Sequence, residues 1–215
     1  MTCRCADLGL DEMFDEQFAR REANRYRRKG LARRSRILLD LIRGALPLTG
    51  RTALEGGSGA GVFSIELARQ GVTRAVGVDA MPAAIEQARL LAHELAVDQR
   101  AHFTIGDFAD PAVSLLSADI VVLDRVVCCY PDWRSLITRA ATHAARVVAL
   151  SYPPDNALSS IEIQAVNAFQ RLMGRRFRLH LHPTSAMFAL LAEHGFTSVR
   201  KRRYWFWEIA VASRP

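Results

Sequence analysis

The stretch that most constrains this chain is Glu55-Gly56-Gly57-Ser58-Gly59-Ala60-Gly61. It closes a short apolar run over 51–54 and opens a helix-like segment over 62–70. A glycine-rich turn between a strand and a helix lets the backbone approach a nucleotide-like ligand closely. The unpaired amides at the start of the helix then face that ligand. Residues 51–70 therefore commit the chain to a strand, a turn and a helix, and the rest must supply neighbours for that strand.

The spacing narrows the ligand. A dinucleotide site needs G-x-G-x-x-G or G-x-G-x-x-A, with a small third residue where helix and strand pack. Counting from Gly57 and Gly59, that place falls on Val62, which is too large. The pattern acidic-x-Gly-x-Gly-x-Gly is filled instead, by Glu55, Gly57, Gly59 and Gly61. On these residues the chain resembles the class I S-adenosylmethionine-dependent methyltransferases. The resemblance implies that the loop, Ser58 included, lies against the methionine part of S-adenosylmethionine. It also implies that Glu55 orders the loop or meets the cofactor's amino group.

Three further strand ends fall into register with the first. Residues 75–78 read as a buried strand ending at Asp79, followed by Ala80 and Met81. Asp79 lies 24 positions after Glu55 (79 − 55), near the ~20-residue interval at which a carboxylate meets ribose hydroxyls. It also suits the N-cap of a helix over 82–95 with Pro82 in its first turn. A strand over 101–105 ends at Gly106-Asp107-Phe108. Here the resemblance implies that Asp107 accepts from the adenine amino group and that Phe108 packs on the ring. A fourth strand, 118–123, leads to Asp124, Arg125 and Val126, then to Cys128, Cys129 and Tyr130. Ligands of open parallel sheets bind outside the carboxyl ends of the strands, so all four ends point to one crevice.

The alternation of short apolar runs with amphipathic segments from 51 to 152 implies repeated strand–helix units. The expected fold is α/β and doubly wound (Rossmann-like), with a seven-stranded, mostly parallel sheet and an antiparallel last strand. The chain reads as one domain. Residues 1–50 form an N-terminal helical cap, with Asp11 as N-cap and a break at Gly30. Residues 51–152 form the cofactor-binding core. Residues 153–184 form an insertion that covers the substrate, its helix over 157–173 carrying Ile161, Ala165, Phe169 and Leu172 on one side. Residues 185–215 supply a helix and a strand pair, 197–205 and 207–212. In the resembled family such N-terminal extensions fold over the cofactor, which makes Tyr26, with Arg27 and Arg28, a candidate for closing the site.

Composition limits the partners. Net charge is +7, and nearly all the basic residues are arginine, with only Lys29 and Lys201 besides. Clusters at 20–36, 171–178 and 200–203 suit anions or RNA, so an RNA substrate stands as the alternative to a small, anionic acceptor. A second copy of the chain is a further partner the sequence leaves open. No apolar run reaches the ~20 residues of a membrane span, and the first residues lack a secretion signal. A cytosolic setting follows, consistent with reduced thiols. Cys3 and Cys5 lack zinc-ribbon spacing, the vicinal Cys128 and Cys129 suit packing beside the cofactor, and no spacing argues for a metal.

Displacement at a sulfonium needs chiefly position and desolvation. An oxygen or nitrogen acceptor can also need a base. His182 is the first candidate and Tyr130 the second catalytic group. His180, Tyr152 and Arg125 join them as candidate substrate contacts. The segment 124–130 departs from the Asn/Asp-Pro-Pro-Tyr loop of many enzymes that methylate amino nitrogens. Together with Tyr26-Arg27-Arg28-Lys29-Gly30-Leu31 it is similar instead to magnesium-protoporphyrin and ubiquinone-type O-methyltransferases. That likeness implies a small-molecule acid or phenol as acceptor. A regulator that binds the cofactor without turnover is the non-enzymatic alternative.

Overall fold

Alternate side chains of a strand face opposite ways, so a strand that is apolar throughout must be covered on both sides. The run at 118–124 behaves so: Ile120 and Val122 enter one buried cluster, Val121 and Leu123 a second. The structure, a computed structural model, describes residues 8–215. Its strands are β1 (Thr52–Gly56), β2 (Arg74–Asp79), β3 (Ala101–Ile105), β4 (Ala118–Asp124), β5 (Ala144–Tyr152), β6 (Ser198–Tyr204) and β7 (Trp207–Ser213). They form one sheet in the order β3-β2-β1-β4-β5-β7-β6. The first five pair in parallel, and β7 runs antiparallel between β5 and β6. This is the doubly wound, Rossmann-like sheet expected from the sequence.

The helices are α1 (Glu16–Lys29), α2 (Arg33–Ala45), α3 (Val62–Arg69), α4 (Pro82–Glu94), α5 (Trp133–His143), α6 (Ala157–Leu172) and α7 (Thr184–Glu193). Leu38 and Ile42 of α2, Phe63 and Leu67 of α3, and Ile85 and Leu91 of α4 cover one face. Leu136 and Ile137 of α5 and Met187 and Leu191 of α7 cover the other. α6 contributes to neither layer; Ile163 is its one buried apolar side chain.

Two local expectations change. Asp11 falls in a single 3-10 turn, and Asp15 caps α1 by accepting from the Phe18 amide at 2.7 Å. A side chain caps by reaching an amide two or three residues ahead of it, and Asp15 stands at that distance from the first full turn. α5, unassigned from sequence, starts at a second such cap, where Asp132 accepts from the Ser135 amide. Gly30 ends α1 with φ +65°, a conformation that glycine adopts without strain. Cys3 and Cys5 lie outside the described residues. Among the described residues no helix is long and apolar enough to cross a membrane.

Leu38→Ala should test whether the N-terminal helices are integral to the core. The side chain is fully buried between α2 and the sheet, so unfolding free energy should fall by about 2–5 kcal/mol with the denaturant slope unchanged. A loss within error would show that α2 docks loosely.

Candidate active site

Parallel strands bring their carboxyl ends to one edge of the sheet, and the loops that leave them wall a cavity of about 690 Å³. β1 supplies Glu55 and the loop residues Gly57, Ser58 and Gly59. β2 supplies Asp79, then Ala80 and Met81; Gly106, Asp107 and Phe108 follow β3. From β4 come Asp124, Arg125, Val126 and Tyr130, and α1 adds Tyr26.

The glycine loop has no space for side chains. Gly57 and Gly59 have φ of +63° and +53°. A Cβ on Gly57 would lie 2.5 Å from Val126 Cγ2, and one on Gly59 2.5 Å from Glu22 Oε2. Gly61 plays a different part from the one expected. It does not line the cavity; a Cβ there would strike the Phe103 ring and Ala88, so it is the contact at which the loop packs on β3 and α4.

The acids at the strand ends differ in how they are compensated. The Glu55 carboxylate accepts from the Ser64 amide at 3.0 Å and the Ser64 hydroxyl at 2.6 Å, which pins the first turn of α3. Burial pushes its pKa well above the carboxylate range; the Ser64 hydrogen bond opposes this and the Asp124 charge adds to it. Asp79 accepts from the amides of Gly59 (2.8 Å) and Met81 (2.9 Å), so one carboxylate joins the first two loops. Burial raises its pKa too, against those two bonds. Asp107 accepts from the Ala109 amide at 2.9 Å and the Tyr130 hydroxyl at 3.0 Å. For Asp124, burial alone would raise the pKa, but the Arg34 guanidinium outweighs it, with Arg125 and Ser151 assisting, and holds the carboxyl below its usual range.

Sequence reasoning missed four residues here. Arg34 pairs with Asp124 at 3.1 Å, and Ser35 donates to the same carboxylate at 2.6 Å. Glu22 of α1 accepts from the Ala60 amide at 3.0 Å and from Arg125 at 2.9 Å. Glu162 of α6 lines the cavity and has no hydrogen-bond or ion partner among the described residues. No local pattern marks them, because Arg34 and Asp124 meet across 90 residues and Glu22 and Arg125 across 103. Tyr26 is engaged as well: its hydroxyl donates to Glu66 at 2.5 Å, and burial with that carboxylate pushes its pKa up to about 12. Two donors in the wall, Ser58 Oγ and Arg125 Nε, are buried without a protein partner. Arg125 also has φ +67°, a strained conformation that clusters at ligand sites.

Three expected contacts lie elsewhere. His182, His180 and Tyr152 do not line the large cavity; they line a small neighbouring pocket with Cys128 and Met187. His182 is buried, and its Nε2 lies 3.1 Å from the Val127 carbonyl and 3.0 Å from that of Tyr130. Two carbonyls can only accept, so Nε2 carries the proton and donates to them. His182 therefore holds the 127–130 segment from behind. Tyr152 is buried and donates to Glu208, which takes its hydroxyl away from the cavity. The cysteines fare otherwise: Cys128 and Cys129 line the cavity with their sulfurs 3.9 Å apart.

A glycine cradle at the first strand end, with acids at the next three, defines a nucleotide-type site on a doubly wound sheet. Residues 49–171, more than half of the chain, match the methyltransferase domain family, and the chain belongs to that family of enzymes. Its fold is similar to that of magnesium protoporphyrin IX methyltransferase from Synechocystis PCC 6803 with bound SAH (TM-score 0.67, 21% identity, 85% of this chain and 81% of that one). The same enzyme with bound SAM gives a TM-score of 0.65 at 22% identity, over 94% of this chain and 84% of that one. An O-methyltransferase family protein from Burkholderia thailandensis gives 0.68 at 17% identity, over 93% of this chain and 60% of that one. No curated protein matches the chain in sequence.

The raised pKa of Glu55 sets a pH dependence. A carboxyl with a higher pKa folded than unfolded binds more protons in the folded state. Its contribution is fully present below the unfolded value of about 4.3 and is lost as pH rises toward the raised one. Thermal midpoints of the chain without ligand should therefore decline less between pH 5 and 8 in Glu55→Gln than in wild type. Parallel curves would show that the Glu55 pKa is the same in the folded and unfolded chain.

Proposed function

We propose that this methyltransferase takes its methyl group from S-adenosylmethionine and delivers it to an oxygen of a small-molecule acceptor. The observation that carries this reading is the convergence of the glycine loop, Asp79 and Asp107-Phe108 on one cavity. The residues present fit such a donor. Side chains at Gly57 and Gly59 would collide with Val126 and Glu22, two residues of the same cavity wall. The Ser58 hydroxyl in that wall is unpartnered, and the buried Glu55 and half-buried Asp79 lack a cationic partner. S-adenosylmethionine, when bound, supplies a methyl group on a sulfonium whose departure leaves a neutral thioether.

The chain's own residues then divide the work. Glu55, Ser58 and the loop amides hold the amino-acid end, where Glu55 meets positive charge. Asp79 presents an oriented carboxylate to two adjacent hydroxyls, a charge-assisted contact. Asp107 and Phe108 take the edge and the face of the base, and Tyr130, hydrogen-bonded to Asp107, closes over them. Glu22 and Tyr26 hold α1 across the crevice and keep water out.

A hydroxyl acceptor loses its proton as the new bond to carbon forms, and a group in the cavity must receive it. Glu162 suits this role better than His182: its carboxylate is unpaired in the cavity wall, whereas the His182 ring is bound to backbone behind it. His182 acts as a positioning residue for Tyr130. The small-molecule reading is favoured over RNA because much of the wall of the crevice is apolar and enclosed by α1 and α6, with Met13, Phe14, Phe18, Phe177 and Leu179, rather than an open basic groove. A cytosolic setting accords with the free thiols of Cys128 and Cys129.

Asp79→Ala should weaken S-adenosylmethionine binding by ~1–3 kcal/mol, the scale of hydrogen bonds to a charged group. Unchanged affinity by calorimetry would remove Asp79 from the ribose role. Glu162→Gln should lower kcat toward an acceptor found by labelled-methyl screening, with donor affinity near wild type. Full turnover in that variant would transfer proton acceptance to another group.

A further inference from the structure

A helix that packs on a core turns its apolar stripe inward. α6 carries its apolar stripe turned to solvent instead. Leu158, Ile161, Ala165, Phe169 and Leu172 recur at i, i+3, i+7, i+11 and i+14 and so share one face. Leu158, Ile161, Phe169 and Leu172 are 56%, 65%, 58% and 86% exposed. Met173, next in the chain, is 56% exposed. Ala165, on this stripe, and Val166 beside it also line the cavity, so the stripe runs directly into the cavity wall.

A second exposed apolar element flanks the same cavity. Tyr152 at the end of β5 pairs with Glu208, and Tyr204 with Trp207, which sets the β6–β7 turn at the edge where the cavity opens. Trp205 in that turn is 79% exposed, and its neighbour Phe206 is 38% exposed and lines the cavity. Basic groups accompany both elements. Arg171 of α6 and Arg202 of β6 are exposed and have no carboxylate partner among the described residues. Arg203 reaches the Trp205 carbonyl at 3.4 Å. The cavity wall between the elements is apolar as well, with Met13, Phe14, Phe18, Phe177 and Leu179.

We propose that the exposed face of α6 and the Trp205 turn seat this enzyme on an anionic bilayer surface. The acceptor is then a lipophilic molecule that passes from the bilayer into the cavity along α6. The docking surface stands on exposure and charge alone; the acceptor class rests also on the methyl-transfer reading. A contiguous apolar stripe in water is unfavourable, and the headgroup–acyl boundary relieves it. Tryptophan suits that boundary, and arginines beside it attract anionic headgroups. A second copy of this +7 chain would bring arginine toward arginine, whereas an anionic surface complements both the stripe and its charge.

The test is flotation of the full chain with vesicles of equal parts phosphatidylcholine and phosphatidylglycerol, and with phosphatidylcholine alone. The wild type should float with the anionic vesicles and far less with the neutral ones. Phe169→Asp with Leu172→Asp should lower partitioning about tenfold or more. Arg171→Glu with Arg202→Glu should lower it by at least about fivefold for each arginine removed. Absent flotation of the wild type, or unchanged flotation of both variants, overturns the docking surface. A concentration-dependent dimer that Phe169→Asp with Leu172→Asp dissolves gives the face to a second copy and overturns it as well. Calorimetry with S-adenosylmethionine, without vesicles, separates the two readings. Flotation without donor binding supports docking and overturns the donor assignment; donor binding without flotation overturns docking alone. Finally, labelled donor incubated with the chain and a cell extract should label the organic phase on solvent partition. Label confined to the aqueous phase overturns the lipophilic acceptor.

Discussion

Three segments far apart in the chain meet at one buried carboxylate, Asp124. Arg34 and Ser35 reach it from α2, and Ser151 reaches it from β5. Removing a carboxylate from water is costly unless charge and hydrogen bonds replace the water, and here both do. The pair sets the start of α2 against the strand ends, and α1, joined to α2 by the turn at Gly30, is thereby carried across the crevice. From there Glu22 meets the Ala60 amide and Arg125. The wall of the cavity depends on this one compensated charge.

The other acids show the reverse balance. Glu55, buried, and Asp79, half-buried, stand at neighbouring strand ends, accept only neutral donors and have raised pKa values. Arg34 neutralises Asp124 and leaves these two without a cation. A site of this kind disfavours the charged form of both acids, and a cationic ligand restores it. That asymmetry, more than the glycine loop by itself, favours a sulfonium-bearing donor in the proposed reading. The unpartnered Ser58 hydroxyl and Arg125 Nε call for a hydrogen-bond acceptor on the same ligand, since buried polar groups rarely stay unpaired without a use.

Much of the cavity was legible in sequence because each of its parts is local. A strand end, a tight turn and a helix start are contiguous residues, so Glu55 to Gly59, Asp79 to Met81 and Gly106 to Phe108 could be placed at one sheet edge from order alone. Gly61 shows the limit. Its positive φ belongs to the same loop, yet its space is taken by Phe103 of β3 rather than by a ligand. His182 shows a second limit. Its position after β5 was readable, but the direction of its ring is set by the carbonyls of Val127 and Tyr130, more than 50 residues away. Glu22, Arg34 and Glu162 left no trace in pattern because their partners, or lack of them, arise only when distant segments pack.

Read alone, the chain determined its succession of parallel strand–helix units, the glycine cradle and the carboxylates at the strand ends, since backbone geometry and burial act on neighbours in sequence. Tertiary structure decided which acids are neutralised, which histidines are turned away from the cavity and which side of α6 meets water. A stripe at helical spacing fits a core and a solvent face equally well, and a charge gains or loses its compensation only from residues that folding brings beside it.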